Sequence, residues 1–257
     1  INYRNHRKIV VIDSKIAFLG GINIGDEYLG LGKMGKWDDC HIMIEGDCVL
    51  GLQSVFLDDF SSIKKYNNEE ISILNNVEEY FRSFDHNGTV PMQIIKSGPD
   101  SEFPSILHSL IKMISSAKKS INIISPYFIP SEGLMDSLKI AILSGVNISL
   151  IFPEKADHFA VNRASKTYLY ELQKIGAKIT AIFENPREVK DEITFGETEG
   201  MSDLDRSIPI EESLITTLLH FQPNSSLSKD ELLILTLLHS LSAFMPFEVT
   251  LLILIIM

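Results

Sequence analysis

Residues 120–152 read SINIISPYFIPSEGLMDSLKIAILSGVNISLIF, and their order decides the fold. Residues 120–125 form a short apolar run of strand length. Residues 132–144 read as a helix, with Gly145 suited to its C-terminal cap. Residues 146–152 are a second apolar strand. The same alternation continues outward on both sides. Upstream lie a strand at 92–96 and an amphipathic helix at 105–118, its apolar face carried by Ile106, Leu107, Leu110, Ile111 and Ile114. Downstream lie a helix at 158–175, followed by Gly176, and a strand at 177–183. Strand–helix units in series predict a parallel sheet with right-handed crossovers, hence an α/β fold.

The residues before this series have another rhythm. Two β-branched and apolar runs, 9–12 and 16–19, flank Asp13-Ser14-Lys15 and predict a hairpin ending at Gly20-Gly21. Residues 22–40 are irregular and glycine-rich, and 41–45 is a short strand. Residues 47–66 read as a helix through Val49, Leu50, Leu52, Val55, Phe56 and Phe60. The polar stretch 67–91 reads as a linker.

After Asn185-Pro186 the rhythm stops. Residues 185–257 carry 12 acidic and 4 basic side chains, a net −8, against −3 for residues 1–184. Residues 211–221 suit an amphipathic helix. Ser228 and Glu231 have capping-box spacing for another. Residues 232–257 contain one formal charge, Glu248, and approach a membrane span in length, but Pro246 and Glu248 would kink and charge such a helix. A buried or self-associating apolar tail is the reading we carry forward, as one or two helices outside the sheet.

Composition narrows the classes. The chain has 257 residues, 45% apolar and 22% charged, which suits a globular protein and excludes a disordered or collagen-like one. Two cysteines, Cys40 and Cys48, are not spaced as a metal knuckle or redox pair. A net charge of −11 argues against wrapping nucleic acid through bulk charge. The chain opens on Ile1 rather than Met, and reads as an internal piece of a longer protein.

The sharpest local pattern is His6-x-Lys8-x-x-x-x-Asp13 followed by Gly20-Gly21-x-Asn23. On a strand His6 and Lys8 would share a face. An imidazole beside an ammonium and an amide suits a phosphate: cation and amide stabilise phosphoryl oxygens, and the imidazole attacks phosphorus or moves a proton. Asp13 lies at the turn, and serves structure more readily than chemistry. The plain alternative makes His6 and Lys8 exposed strand residues and Asp13 an ordinary turn carboxylate. The extended spacing of six polar and glycine positions favours the site.

This pattern resembles the active-site motif of the phospholipase D superfamily, and the flanking text resembles bacterial cardiolipin synthases. The similarity runs through residues 2–13, 20–28, Trp37-Asp38-Asp39, Ile44-Glu45-Gly46, Ser97-Gly98-Pro99-Asp100, 126–130, Ser144-Gly145-Val146 and Asp157-His158, so it covers about residues 1–184. It implies a mixed sheet flanked by helices, built as two pseudo-repeat halves. Residues 1–86 would be the end of the first half, carrying the motif, and 90–184 the start of the second; 185–257, outside the resemblance, reads as a divergent helical tail, acidic then apolar. The resemblance implies transfer of a phosphatidyl group between two phosphatidylglycerol molecules, without metal or cofactor. His6 would be the nucleophile, Lys8 and Asn23 the phosphate ligands, and Asp13 an orienting or buffering group. Membrane lipid would be the partner rather than nucleic acid, with self-association open, at a bacterial cell membrane with spanning segments upstream.

The family pattern needs a second His-x-Lys. Among the seven histidines only His6 has a lysine two residues on. The chain therefore reads as an incomplete, inactive piece. Two other readings stay open: a phosphodiesterase or single-motif nuclease completed by dimerisation, and a non-catalytic lipid-binding remnant. Gly20, Gly21, Tyr127 and Phe128 are possible site-loop residues, though Tyr127 and Phe128 suit core packing as well. His158 fits a lipid site or a helix cap. Trp37 fits a membrane interface or a loop anchor.

Overall fold

The computed structural model describes residues 4–32, 39–68, 76, 78–81, 90–98, 101–153, 159–182, 231–234 and 248–255. They divide into two compact units, Ile1–Ile106 with Phe247–Met257, and Leu107–Pro246. The expected linker at 67–91 lies mostly outside the described residues, as do the expected helix at 211–221, Trp37 and His158.

Unit 1 begins with β1 (Arg4–Asn5), then the antiparallel meander β2 (Ile9–Ile12), β3 (Ile16–Gly20) and β4 (His41–Glu45), with β3 in the middle. Ile9 faces Leu19, and Gly20 faces His41. The hairpin closes through Lys15 N–H donating to the Ile12 carbonyl at 3.0 Å. Asp13 and Ser14 take left-handed φ values of 50° and 59°, a conformation that short polar side chains tolerate. Period-two alternation turns Ala17, Leu19 and Ile44 onto the helix α1 (Cys48–Tyr66), where they meet Val49, Leu52 and Val55. The buried stripe is narrower than the expected face, since Phe56 is exposed and stacks with Phe60 at a 6.1 Å centroid separation.

The strand β5 (Met92–Ser97) corrects one expectation. It does not enter the parallel sheet; it pairs antiparallel with β10 (Glu248–Ile255), Ile95 opposite Leu252. The other edge of β10 pairs in parallel with β1. Met92 and Ile94 pack on the α1 core, so burial ties β5 to unit 1 and its hydrogen-bond partner arrives from the far end of the chain.

Unit 2 contains most of α2 (Ser105–Ser116), then β6 (Ser120–Ile124), α3 (Glu132–Leu143), β7 (Asn147–Pro153), α4 (Phe159–Lys174) and β8 (Lys178–Ile182). The sheet is parallel throughout in the order β8-β7-β6-β9, β9 being Glu231–Ile234. Ile121, Leu138, Ile148, Leu150, Leu169, Leu172 and Ile179 are fully buried. Ser131 caps α3 by accepting from Leu134 N–H. Gly145 and Gly176, at φ 88° and 114°, end α3 and α4. At the first end Val146 N–H donates to the Ala141 carbonyl (3.0 Å) and Gly145 N–H to Ile142 (2.9 Å). At the second, Ala177 bonds Leu172 and Gly176 bonds Gln173, both at 3.0 Å. Both are Schellman caps.

The tail is the second correction. A helical tail outside the sheet was expected, yet Glu231–Ile234 extends the parallel sheet beside β6 and Glu248–Ile255 is the middle strand of another. A continuous apolar run occurs in strands and in helices, and periodicity alone does not separate the two.

Removing residues 186–257 should therefore uncover the β9-facing edge of β6. In hydrogen exchange the amides of Ser120–Ile124 should lose protection in the truncated chain. Unchanged exchange there would show that β9 contributes no pairing in solution.

Candidate functional site

The segment carrying the motif is held by its middle residue. The Arg7 side chain is 6% exposed and pairs with Asp59 of α1, and its Nη2 donates to the Ser97 carbonyl at 3.4 Å. Asn5 Nδ2 donates to the other Asp59 oxygen at 2.9 Å. Its Oδ1 accepts from Arg7 N–H, also at 2.9 Å. The last contact is an Asx turn, a side-chain carbonyl replacing a main-chain partner two residues on.

That turn corrects the expectation that His6 and Lys8 lie on a strand. His6, Arg7 and Lys8 form the irregular connection between β1 and β2. Asn5 diverts the Arg7 N–H from a ladder, and Arg7 turns onto Asp59. Lys8 folds back, its Nζ donating to the His6 carbonyl at 2.8 Å. Both His6 and Lys8 are half-buried. Asp13 is exposed in the turn at the other end of β2, about 16 Å along the strand at roughly 3.3 Å per residue. The structure therefore places Lys8 beside the His6 backbone and leaves Asp13 away from both.

Sheet register brings the other elements to the His6 end. Gly20 closes β3 opposite His41, and Gly21 N–H donates to the Cys40 carbonyl at 2.9 Å. A Cβ on Gly20 would strike Cys40 and His41; one on Gly21 would strike the Asp39 carboxylate. Gly20 is required by this close approach of backbone, whereas the neighbour at Gly21 is the end of a side chain that can turn aside. Asn23 follows, its Nδ2 donating to Tyr28 Oη at 3.0 Å, while that hydroxyl lies 3.4 Å from the Gly21 carbonyl. Burial first of all raises the Tyr28 pKa, keeping the phenol protonated and able to donate.

His41 lies at the same end of the sheet, and the sequence reading set it aside because it lacks a lysine two positions on. Lys8 precedes Ile9, which faces Leu19, and Gly20 faces His41. Two strand spacings, about 10 Å, separate the β2 and β4 positions. His41 Nδ1 is buried with no hydrogen-bond partner among the described residues. Burial lowers its pKa, against the opposing pull of Asp39. Arg7 and Asp59 were also missed. Only the spatial meeting of residues 52 positions apart reveals them.

Tyr127 and Phe128 belong to unit 2. Phe128 is buried, and its N–H donates to Ser165 Oγ of α4 at 3.0 Å. Tyr127 follows a turn in which Ser125 Oγ donates to the Tyr127 carbonyl at 3.0 Å. No cluster of three metal-ligating side chains occurs among the described residues.

Comparison with known proteins gives one consistent likeness for the chain. Residues 110–191 match the family described as "Cardiolipin synthase, PLD-like domain". Over 186 residues, 72% of the chain, it is 46% identical to a cardiolipin synthase of Listeria welshimeri and 44% identical to the major cardiolipin synthase of Bacillus subtilis. It spans about 37% of the length of each. A phosphatidylserine synthase structure from Haemophilus influenzae aligns with 70% of the chain and 48% of its own, at 13% identity and a TM-score of 0.47.

Asp59→Ala should destabilise unit 1 by roughly 3–5 kcal/mol, because the Arg7 charge is left buried and unpaired. Arg7→Met with Asp59→Leu should recover much of the loss, read as the urea midpoint of each variant. His41 adds a pH dependence. Its folded pKa lies below 6.5, so the unfolded chain binds more protons between the two values. Stability should hold above pH 6.5 and fall as pH drops below it. His41→Asn should flatten that slope in urea titrations from pH 8 to 5.5.

Proposed function

The chain is related to the bacterial cardiolipin synthases, and from that premise we propose that its unit 1 carries one half of a phosphatidyltransferase site. The observation that supports this most is Lys8 Nζ folded onto the His6 carbonyl at 2.8 Å, with Arg7 between them anchored on Asp59. It puts a cation beside the imidazole-bearing residue at the end of the sheet where Gly20, Gly21 and Asn23 also lie.

In this reading phosphatidylglycerol is the substrate. An imidazole nitrogen of His6 forms a bond to phosphorus, and the bond from phosphorus to the glycerol headgroup oxygen breaks. That oxygen takes a proton and leaves as glycerol. A hydroxyl of a second phosphatidylglycerol then attacks phosphorus, gives up its proton and releases His6, yielding cardiolipin. Lys8 and Asn23 offset charge on the phosphoryl oxygens. Asp13 has a structural part, holding the hairpin turn. The proton donor for the leaving glycerol is the task of a second His-x-Lys, which these 257 residues do not contain. The protein would act at the bacterial cell membrane. Among the described residues no helix is long and apolar enough to cross one. The halves proposed from the sequence, 1–86 and 90–184, remain our reading of the family pattern.

Losing a positioned proton donor costs on the order of 10²–10⁴-fold. The purified chain in mixed micelles with phosphatidylglycerol should therefore form cardiolipin at least about a hundredfold more slowly than a complete enzyme. It should still trap an acid-labile phosphoryl label that His6→Ala does not. Fast turnover abolished by His6→Ala would mean that a second copy completes the site. No label on His6 would refute the nucleophile.

A further inference from the structure

The segment that leaves Gly21 exposes more large aliphatic surface than its polarity explains. Ile22, Ile24, Leu29 and Leu31 are 39%, 109%, 73% and 73% exposed. The segment is nonetheless tightly bonded. A short 3-10 turn, Asp26–Leu29, sits between Gly25 and Gly30. Leu31 N–H donates to the Asp26 carbonyl at 2.9 Å, and Asn23 Nδ2 to Tyr28 Oη at 3.0 Å. The aliphatics are presented by a built loop.

We propose that residues 22–31 form a lipid-surface contact that inserts Ile24, Leu29 and Leu31 into the apolar edge of the bilayer holding the substrate. The inference rests on the phosphatidyl-transfer reading for why a bilayer must come to this place: a diacyl phosphate diester reaches His6 and Lys8 only if the sheet end meets its membrane. Three observations choose a lipid surface over a protein partner. The loop starts just after β3, at the end of the meander where β2 begins and Lys8 precedes it. Its exposed aliphatics, Ile24, Leu29 and Leu31, lie in and beside a short 3-10 turn, and a fluid phase accepts such side chains without a matching shape. Residues 22–31 carry Asp26 and Glu27 and no basic side chain, and the chain as a whole is −11. Attraction to an anionic surface is therefore not the driving force, and apolar area is.

The chain has a single tryptophan, Trp37, which permits a clean reporter. The probe is Leu29→Trp in a Trp37→Phe background, mixed with vesicles of phosphatidylcholine alone or with added phosphatidylglycerol. Because Leu29 is exposed, circular dichroism should be unchanged. Emission should shift to the blue on both vesicles and persist at high salt. Adding Ile24→Ser and Leu31→Ser should weaken partitioning by roughly tenfold each. The readout asks nothing of the chemistry: His6→Ala should partition like the parent, so failure of the transfer reading and failure of the loop are told apart. No shift with either vesicle overturns the proposal. So does a shift seen only with phosphatidylglycerol and erased by salt, which would be adsorption by charge. A shift that grows with protein concentration without vesicles also overturns it, and makes a second copy the occupant.

Discussion

The arrangement at the candidate site depends on one buried charge. Arg7 sits between His6 and Lys8 with its side chain 6% exposed, and its guanidinium is neutralised by Asp59. A buried cation without its partner is strongly unfavourable, so this segment has little choice of course. Asn5 reinforces it by bonding both Asp59 and the Arg7 N–H. The price is a break in the strand just where the motif begins. Three residues leave the ladder, and the Lys8 ammonium turns back onto the His6 carbonyl. Arg7 thus links the motif to α1 through Asp59 and to the end of β5 through Ser97.

A second constraint is steric. Gly20 and Gly21 admit Cys40, His41 and the Asp39 carboxylate at distances no Cβ would allow. This closeness draws the start of β4 against the end of β3 and half-buries His41. The pKa of His41 is lowered by that burial, so the ring is held neutral where it lies. A neutral imidazole adds no charge to this end of the sheet. Cation character at this end rests instead on Lys8.

Each unit also borrows a strand from late in the chain. β10 joins β1 and β5, and β9 joins β6. Such pairings close loops of more than one hundred residues, between β6 at 120–124 and β9 at 231–234 and between β5 and β10. Closing loops of this length costs entropy before the pairing rewards it, so these strands are expected to join after local helices and hairpins. The helices α3 and α4 need no such help. Their glycine caps and buried faces are set by neighbours in sequence.

That difference separates what was legible in the residues from what was not. Period-two and period-3.6 patterns placed the hairpin, β4, α1 and the series from β5 to β8 within a few residues, and Gly145 and Gly176 marked the helix ends. Each depends on local backbone preference and on which faces are apolar. The motif residues were legible as a spacing, and so was the turn position of Asp13. Neither the departure of His6 and Lys8 from a strand nor the Arg7–Asp59 pair was, because the Asx turn and the ion pair need partners 2 and 52 positions away. Apolar runs at the end of the chain were visible, but their state was not: a continuous apolar run suits a buried helix and a buried strand equally. Only the edges of β6, β5 and β1 decided it, since they present unpaired backbone groups that a strand satisfies and a helix cannot.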